Sequence, residues 1–408
     1  MSSRLDLRQV DEADVYKGDV RAGSLTRSGD TVRFEYADDY SSRPGAQPVA
    51  WSLPMHVGGT TATAGSVPPF FAGLLPEGAR LSGVVAGTKT SEDDHLTILL
   101  AVGADTIGDV RVIPAGPEPE PPAPAFDPDA PMPSLRALFD RVTGPRSMDV
   151  DVAGLPGVQG KVSAEMYSSP VTTKRGAAIL KLAPPNRFPR LVENENFFMS
   201  VAETCGLVVP RCEVITDDNG VSGLLVERFD RDSGRKVAQE DACQINALYP
   251  SSKYRMKTET VLASLAATVE RGGGSARQAA LELVRLTVYS YVIGNGAQHG
   301  KNYSIHQGKH SLWGVTPAYD LLCTQPYMSW NDPMALTFYG RNNRWTRDHV
   351  LDSSARHALP RKAVIRVLDD VCAGVRAAAD HVGSIGFDDK TTARLQAFLE
   401  ERCAELTP

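Results

Sequence analysis

Two short segments hold most of the residues that could do chemistry. An apolar run from Leu281 to Ile293 gives way abruptly to small and polar residues between Asn295 and Ser304. This change predicts a helix that delivers a rigid polar loop. Asn302, in that loop, and Asp320, further along the chain, carry hard oxygen donors. Mg²⁺ takes such donors when a few side chains and nucleotide phosphates hold it together.

The spacing of these residues matches the catalytic machinery of protein kinases. Kinases place a catalytic Asp on a loop, an Asn that binds metal shortly after it, and a second metal-binding Asp further on. Asn302 and Asp320 fit the two metal positions. Ala297 stands where the catalytic Asp belongs.

The two segments together resemble the signature of a known family. The first reads Asn295-Gly296-Ala297-Gln298-His299-Gly300-Lys301-Asn302 and the second reads Pro317-Ala318-Tyr319-Asp320. This is similar to the Asn-x-Asp-x-His-x-Lys-Asn and Pro-Ala-Tyr-Asp motifs of the HipA toxin kinases, the Ser/Thr kinase half of bacterial toxin–antitoxin pairs. A polar loop with a stray Asn and His would not explain two motifs that agree in order and separation.

The resemblance implies a function and a set of roles. The family transfers the γ-phosphate of ATP, with Mg²⁺, to a Ser or Thr of a protein, and aminoacyl-tRNA synthetases are its best-known targets. His299 and Lys301 would belong to the catalytic loop, and His299, Asn302, Tyr319 and Asp320 would contact ATP. Asn302 and Asp320 would bind the metal. The family partner is a helix-turn-helix, HipB-like antitoxin, through which the toxin is held on operator DNA.

Composition bounds the class of protein. The 408 residues carry a net charge of −6, which argues against a protein that grips nucleic acid through its own surface alone. The six cysteines are scattered without CxxC spacing, as expected in a reducing compartment. We find neither a secretory signal nor an apolar run of membrane length, so we expect a cytoplasmic protein and no membrane contact.

We divide the chain into four parts of an α+β, HipA-like kinase fold. Residues 1–112 form a β-rich N-terminal subdomain, in which we expect strands over 31–36 and 48–54. Its segment Leu74-Leu75-Pro76-Glu77-Gly78 resembles one in the family, and we assign it to packing. Residues 113–133 are a Pro-rich linker. Residues 134–255 form the small ATP lobe and 256–408 the larger helical lobe.

The small lobe contains candidate phosphate and adenine contacts. Gly157, Gln159 and Lys161 match the family loop that closes over the ATP phosphates. In the family, a serine upstream in this loop is autophosphorylated and silences the kinase. Gly154 stands there, and Ser163 is not that serine.

Two further segments of the small lobe match the family. Lys181 lies on a short apolar strand, like the kinase lysine that contacts nucleotide phosphates. Either Glu193 or Glu195 would face the active site, and the sequence leaves the choice open because carboxylates also suit a helix start. Glu227 and Phe229 match the hinge that holds adenine.

Ala297 separates two hypotheses. A methyl group cannot accept the proton of the substrate hydroxyl, so the chain should bind Mg·ATP and fail to transfer phosphate. Either the protein is a natural pseudokinase that acts as an antitoxin-bound corepressor, or Ala297 is a deliberate Asp→Ala change that spares the expression host. The otherwise complete site favours the second. A small-molecule or lipid kinase is a weaker alternative.

Overall fold

The computed structural model describes residues 5–56, 58–116, 134–143, 166–173, 175–185 and 187–408. The architecture is mixed α and β, built from antiparallel sheets and a large helical core, which confirms the expected α+β class. Gly154, Gly157, Gln159, Lys161 and Ser163 all lie outside the described residues.

The N-terminal part is a five-stranded antiparallel sheet with four helices. The strands have the order β4-β3-β2-β1-β5. They are β1 (Glu12–Lys17), β2 (Val20–Ser28), β3 (Thr31–Tyr36), β4 (Thr60–Ala62) and β5 (Val110–Pro114). The helices are α1 (Asp38–Ser41), α2 (Pro69–Ala72), α3 (Gly78–Thr88) and α4 (His95–Val102).

The strand expected over residues 31–36 is confirmed as β3, but the one over 48–54 is wrong. Within that second segment only Ala50 and Leu53 bridge each other, around a turn. The reason is a tertiary contact: the backbone N–H of Trp51 donates to Glu240 Oε1 at 2.9 Å instead of joining a sheet.

The small lobe is a four-stranded antiparallel sheet flanked by two helices. Its strands have the order β6-β7-β9-β8, and Lys181 on β7 lies opposite Ser168 on β6 and Leu224 on β9. The elements are α5 (Leu135–Thr143), β6 (Tyr167–Thr173), β7 (Gly176–Leu182), α6 (Leu191–Thr204), β8 (Cys212–Thr216) and β9 (Ser222–Glu227).

We count residues 231–408 as the large lobe, because the strand of residues 239–241 pairs with the strand of residues 304–307. This lobe is mainly helical. Its strands are β10 (Arg231–Asp232), β11 (Arg235–Lys236), β12 (Gln239–Asp241), β13 (Ser304–Gln307) and β14 (Trp313–Val315). Its helices are α7 (Ala242–Ile245), α8 (Thr258–Arg271), α9 (Ala276–Val292), α10 (Arg347–Ala355), α11 (Arg361–Ala379) and α12 (Asp389–Leu406). Among the described helices, none combines the length and the apolar character needed to cross a bilayer.

Helix α9 is the element that positions residues 295–304, the candidate catalytic loop. Ser275 caps its first turn by accepting a hydrogen bond from the backbone N–H of Gln278. From Leu286 onward all its residues are buried, including Tyr289 and Tyr291. The helix ends at Val292 and Gly294 follows with φ +70°, a left-handed conformation that glycine adopts without strain. The loop therefore leaves from a fixed point in the core.

The N-terminal part packs on the small and large lobes through polar and aromatic contacts. Arg228, which is buried, donates to Asp105 at 2.9 Å and to Asp230 at 2.8 Å. The rings of Trp51 and Trp313 meet edge to face at 5.5 Å. These contacts bring the segment between α2 and α3 against the catalytic loop.

Candidate active site

A cavity of about 330 Å³ lies where the three parts of the chain meet. Most of the residues singled out from the sequence line it: Lys181, Glu227, Phe229, His299, Lys301, Asn302, Tyr319 and Asp320. Ala297 lies in the same loop but is fully buried. A cavity of this size, mostly apolar with a few convergent charges, suits a small ligand.

One lysine between two carboxylates forms the electrostatic centre of the cavity. Lys181 on β7 donates to Glu195 Oε1 on α6 at 2.6 Å and also to Asp320 Oδ1. Protein kinases hold their strand lysine with a helix glutamate in the same way. The sequence left Glu193 and Glu195 open; in the structure Glu195 faces the lysine, and Glu193 pairs with Arg190 at 3.5 Å.

The ionisation of this triad follows from its surroundings. Burial opposes the charged form of Lys181, but Asp320 and Glu195 outweigh it and raise the pKa of the ammonium group above its ordinary value. Burial raises the pKa of Glu195 above its ordinary value. The carboxylate of Asp320 raises this pKa further, whereas the ammonium group of Lys181 lowers it. Because two carboxylates share one ammonium group, the site favours the binding of a further cation.

Asp320 has an unusual backbone conformation. Its φ is +56°, in the left-handed region that Asp enters more readily than most residues. Its carbonyl oxygen accepts a hydrogen bond from Asn295 Nδ2 at 3.0 Å, which ties it to the catalytic loop. Such conformations persist where the surrounding structure holds them, and they concentrate at functional sites.

The backbone of Ala297 is fixed by its neighbours. Its N–H donates to Asn295 Oδ1 at 3.1 Å. Its carbonyl oxygen accepts from Asn302 Nδ2 at 3.1 Å and from the backbone N–H of His299 at 2.8 Å. Gln298 Nε2 closes the loop by donating to the carbonyl of Asn302 at 3.0 Å. The loop therefore holds its shape without any side-chain hydrogen bond from position 297.

Asn302 is oriented by the same contacts. Its amide nitrogen donates a hydrogen bond to the carbonyl oxygen of Ala297. Its Oδ1 accepts no hydrogen bond from any residue that the structure describes. An amide held in this way keeps an oxygen available for a cation.

His299 is a neutral imidazole. Burial lowers its pKa to about 3, and the nearby Lys253 contributes. Its ring meets that of Tyr254 edge to face at 5.0 Å, and within the described part of the chain its Nδ1 is buried without a hydrogen-bond partner. At neutral pH this residue can shape the loop and offer a hydrogen bond, but it carries no charge.

Lys301 forms hydrogen bonds with the N-terminal part of the chain. Its ammonium group donates to Glu77 Oε1 at 2.8 Å and to the carbonyl of Gly73 at 3.1 Å. Glu77 belongs to the Leu-Leu-Pro-Glu-Gly segment to which the sequence suggested only a packing role. Sequence reasoning therefore missed a charged contact at the site; the acidic residue between Pro76 and Gly78 was the signal available.

Aromatic residues also line the cavity, among them Phe229 and Tyr319. Phe229 follows β9, and its ring lies 5.8 Å from that of Tyr319 and 6.1 Å from that of His306. The hydroxyl of Tyr319 donates to the carbonyl of Lys301 at 2.8 Å and also contacts Ser304. The backbone N–H of Phe229 donates to none of the described residues, as a hinge that receives adenine would require.

Known proteins resemble this chain over most of its length. Family profiles described as "HipA N-terminal domain" and "HipA-like C-terminal domain" match residues 13–113 and 153–379. The putative kinase Y4dM of Sinorhizobium fredii is 30% identical over 73% of this chain and 73% of its own length. The serine/threonine-protein kinase toxin HipA of Shewanella oneidensis is 24% identical over 79% of this chain and 77% of its own length.

A solved structure gives the same fold. The Shewanella oneidensis toxin–antitoxin complex of HipA, HipB and operator DNA contains a chain that superposes with a TM-score of 0.74 at 20% identity, covering 96% of each chain. The C-terminal profile alone spans more than half of the sequence and includes Lys181, Asn302 and Asp320 of the cavity. The chain therefore belongs to the HipA family.

Proposed function

We propose that this protein is a HipA-type serine/threonine kinase chain that binds Mg·ATP and is silenced by Ala297. The observation that carries the proposal is the Lys181–Glu195–Asp320 triad, of which Lys181 and Asp320 line one cavity together with Asn302. A strand lysine, a helix glutamate and two oxygen donors on loops are the parts that kinases use to hold a nucleotide and its metal.

The residues present fit both groups. For ATP, Lys181 lines the cavity, and Phe229 offers an adenine site with its ring and with an N–H that has no partner among the described residues. For Mg²⁺, Asp320 supplies a carboxylate and Asn302 an amide oxygen without a partner among the described residues. No group of three His, Cys, Asp or Glu side chains forms a metal cluster in the described part of the chain. This agrees with a metal held by one or two side chains and phosphates.

Each residue has a distinct task in this proposal. Lys181, fixed by Glu195, binds phosphate oxygens, while Asn302 and Asp320 hold the metal. Bound Mg²⁺ supplies positive charge against the phosphate oxygens. The loop places position 297 beside these groups, but its methyl group neither orients a substrate hydroxyl nor takes its proton. Binding is therefore retained and phosphoryl transfer is lost. Gly157, Gln159 and Lys161 would add contacts to the phosphates.

Calorimetry with the chain as it stands tests the binding half of the proposal. Mg·ATP should bind, and Lys181→Met should weaken binding because it removes the ammonium group from the phosphates. Lys309→Met is the matched control, since Lys309 is exposed and outside the cavity. Absence of binding heat in a folded sample, shown by a cooperative melting transition, would reject the proposal.

A second candidate function is a nucleotide-binding pseudokinase that acts as an antitoxin-bound corepressor. The observation in its favour is the catalytic loop, whose hydrogen bonds are complete with Ala at position 297. The two candidates differ in what a restored carboxylate does. The kinase gains phosphoryl transfer with Ala297→Asp, whereas an established pseudokinase stays silent. Aminoacyl-tRNA synthetases are the first protein substrates to assay.

The proposed partner is a helix-turn-helix, HipB-like antitoxin, with operator DNA bound only through it. The support is the fold shared with a HipA that was solved together with HipB and operator DNA. The net charge of −6 agrees with DNA binding through a partner rather than directly. In a gel-shift assay the chain alone should leave operator DNA unshifted, and it should supershift the complex of antitoxin and DNA. A shift by the chain alone would contradict this assignment. Such an assembly works in the cytoplasm.

A further inference from the structure

The carboxylate of Glu77 bridges two lysines of the large lobe. Its Oε1 accepts from Lys301 Nζ at 2.8 Å, and its Oε2 accepts from Lys253 Nζ. Both lysine side chains are largely buried, at 15% and 12% exposure, while Glu77 is about a third exposed toward the cavity. A single carboxylate from the N-terminal subdomain therefore holds two ammonium groups beside the catalytic loop.

Both lysines belong to the framework of that loop. Lys301 directly precedes Asn302, and its backbone carbonyl accepts a hydrogen bond from the hydroxyl of Tyr319 at 2.8 Å. The carbonyl of Lys253 accepts from the backbone N–H of Gly300 at 3.0 Å. The carboxylate of Glu77 is thus linked to the loop in two ways. It contacts the side chain of Lys301 directly, and it contacts Lys253, whose carbonyl binds the N–H of Gly300.

The charges explain why a carboxylate is needed there. Burial would raise the pKa of Glu77, but Lys301 and Lys253 outweigh it and hold this pKa well below its usual range. The other nearby acid is Asp241, whose pKa burial raises to about 6 despite the proximity of Lys301. Without Glu77, neither ammonium group keeps an ion pair within the described part of the chain, and the repulsion between these two largely buried charges would displace them.

We infer that Glu77 is a positioning residue of the kinase reaction, through which the N-terminal subdomain holds Lys301 and the catalytic loop in register with the metal-binding Asn302. The inference rests on the proposed kinase function. If Glu77 has this role, the N-terminal subdomain is a part of the active site.

Lysine reactivity tests the contact without any need for catalysis. Trace acetylation with acetic anhydride, followed by mass spectrometry, measures the rate at each lysine relative to the exposed Lys89 and Lys362. In Glu77→Gln, Lys301 and Lys253 should react several-fold faster, because the carboxylate that holds both ammonium groups in their largely buried positions is gone. Glu92→Gln removes the same charge from an exposed site of the same subdomain and should change neither rate. Unchanged rates at Lys301 in Glu77→Gln would overturn the inference.

Turnover tests the consequence for the reaction, in the Ala297→Asp background. Glu77→Gln should lower kcat roughly 100-fold, the effect of a small displacement at a catalytic centre, while the Kd for Mg·ATP should change far less because Lys181 and Asp320 keep their contacts. Glu77→Asp, which keeps the charge, should restore part of kcat. Glu92→Gln should have the activity of the Ala297→Asp parent.

The outcomes separate the inference from the function beneath it. An inactive Ala297→Asp protein rejects the kinase proposal itself. An active parent with equally active Glu77→Gln rejects the positioning role. A parallel loss of kcat, nucleotide affinity and melting temperature, without rescue by Glu77→Asp, would mean that Glu77 only stabilises the fold, and it would also reject the role.

Discussion

Replacing Ala297 by Asp should convert the protein into an active kinase. The backbone at this position is already held by Asn295, Asn302 and His299, so the new carboxylate enters a finished loop. General-base and positioning effects of this kind are worth roughly 10²–10⁴-fold in rate. This corresponds to about 3–5 kcal/mol of transition-state stabilisation.

The same substitution should cost stability. Ala297 has no exposed surface, and both of its backbone polar groups are already hydrogen-bonded, so the new carboxylate finds few donors. Burial of a poorly satisfied polar group costs about 1–3 kcal/mol. Burial should also raise the pKa of the new Asp, so the rate should increase as the pH rises through that pKa. A gain in activity with a lower melting temperature is therefore expected.

The assay is transfer of labelled γ-phosphate to protein, first in a cell lysate and then on purified aminoacyl-tRNA synthetases. Ala297→Asn is the matched control, because its amide has nearly the same size and can position a hydroxyl but cannot accept its proton. Asp should label substrate and Asn should not. Growth should stop when the Asp protein is induced alone and recover when the antitoxin is supplied.

One result would refute the reasoning. If Ala297→Asp is folded and binds Mg·ATP in calorimetry, yet labels nothing and leaves growth unaffected, the missing carboxylate is not what silences the chain. The pseudokinase function would then replace the kinase function.

Three other predictions follow from the site. Asp320→Ala should weaken Mg·ATP binding in calorimetry with little loss of melting temperature, since Lys181 keeps its contact with Glu195; unchanged affinity would remove Asp320 from the metal site. Burial keeps His299 neutral and lowers its pKa to about 3, whereas the same side chain in the unfolded protein has the ordinary histidine pKa of 6.5. The free energy of unfolding should therefore fall as the pH drops below about 6.5, by up to about 1.4 kcal/mol per pH unit, and denaturant titrations should show this dependence reduced in His299→Gln. Phosphopeptide mapping of Ala297→Asp protein made with its antitoxin should find no phosphate at Gly154, and a dominant silencing site elsewhere in 150–165 would show that autoregulation has moved.

The sequence predicted the parts of the site that lie in contiguous motifs. Lys181, Asn302 and Asp320 were identified because their order and spacing follow a kinase pattern, and the structure brings all three to one cavity. The choice between Glu193 and Glu195 was not open to sequence reasoning. Both suit the first turns of a helix, and only the packing of α6 on the sheet decides which one turns inward.

Contacts between distant parts of the chain were beyond the sequence for a related reason. Glu77 and Lys301 are 224 positions apart, and no local pattern connects them. The same limit explains the strand wrongly expected over residues 48–54, where a hydrogen bond from Trp51 to Glu240 in the large lobe overrides a local β pattern. Local propensity predicts elements well only where no long-range contact competes.

In the loop of residues 295–304, the contacts that hold the shape are distinct from the side chain at position 297. The shape of the loop depends on amide side chains, Asn295 and Asn302, that bond to the backbone of Ala297 and would bond equally to the backbone of any residue there. Its charge balance depends on Glu77, and its metal donors on Asn302 and Asp320. None of these contacts uses the side chain at position 297. We therefore expect one substitution at this position to remove proton transfer while the fold and the proposed nucleotide site remain, and the restored carboxylate to return activity in a single step.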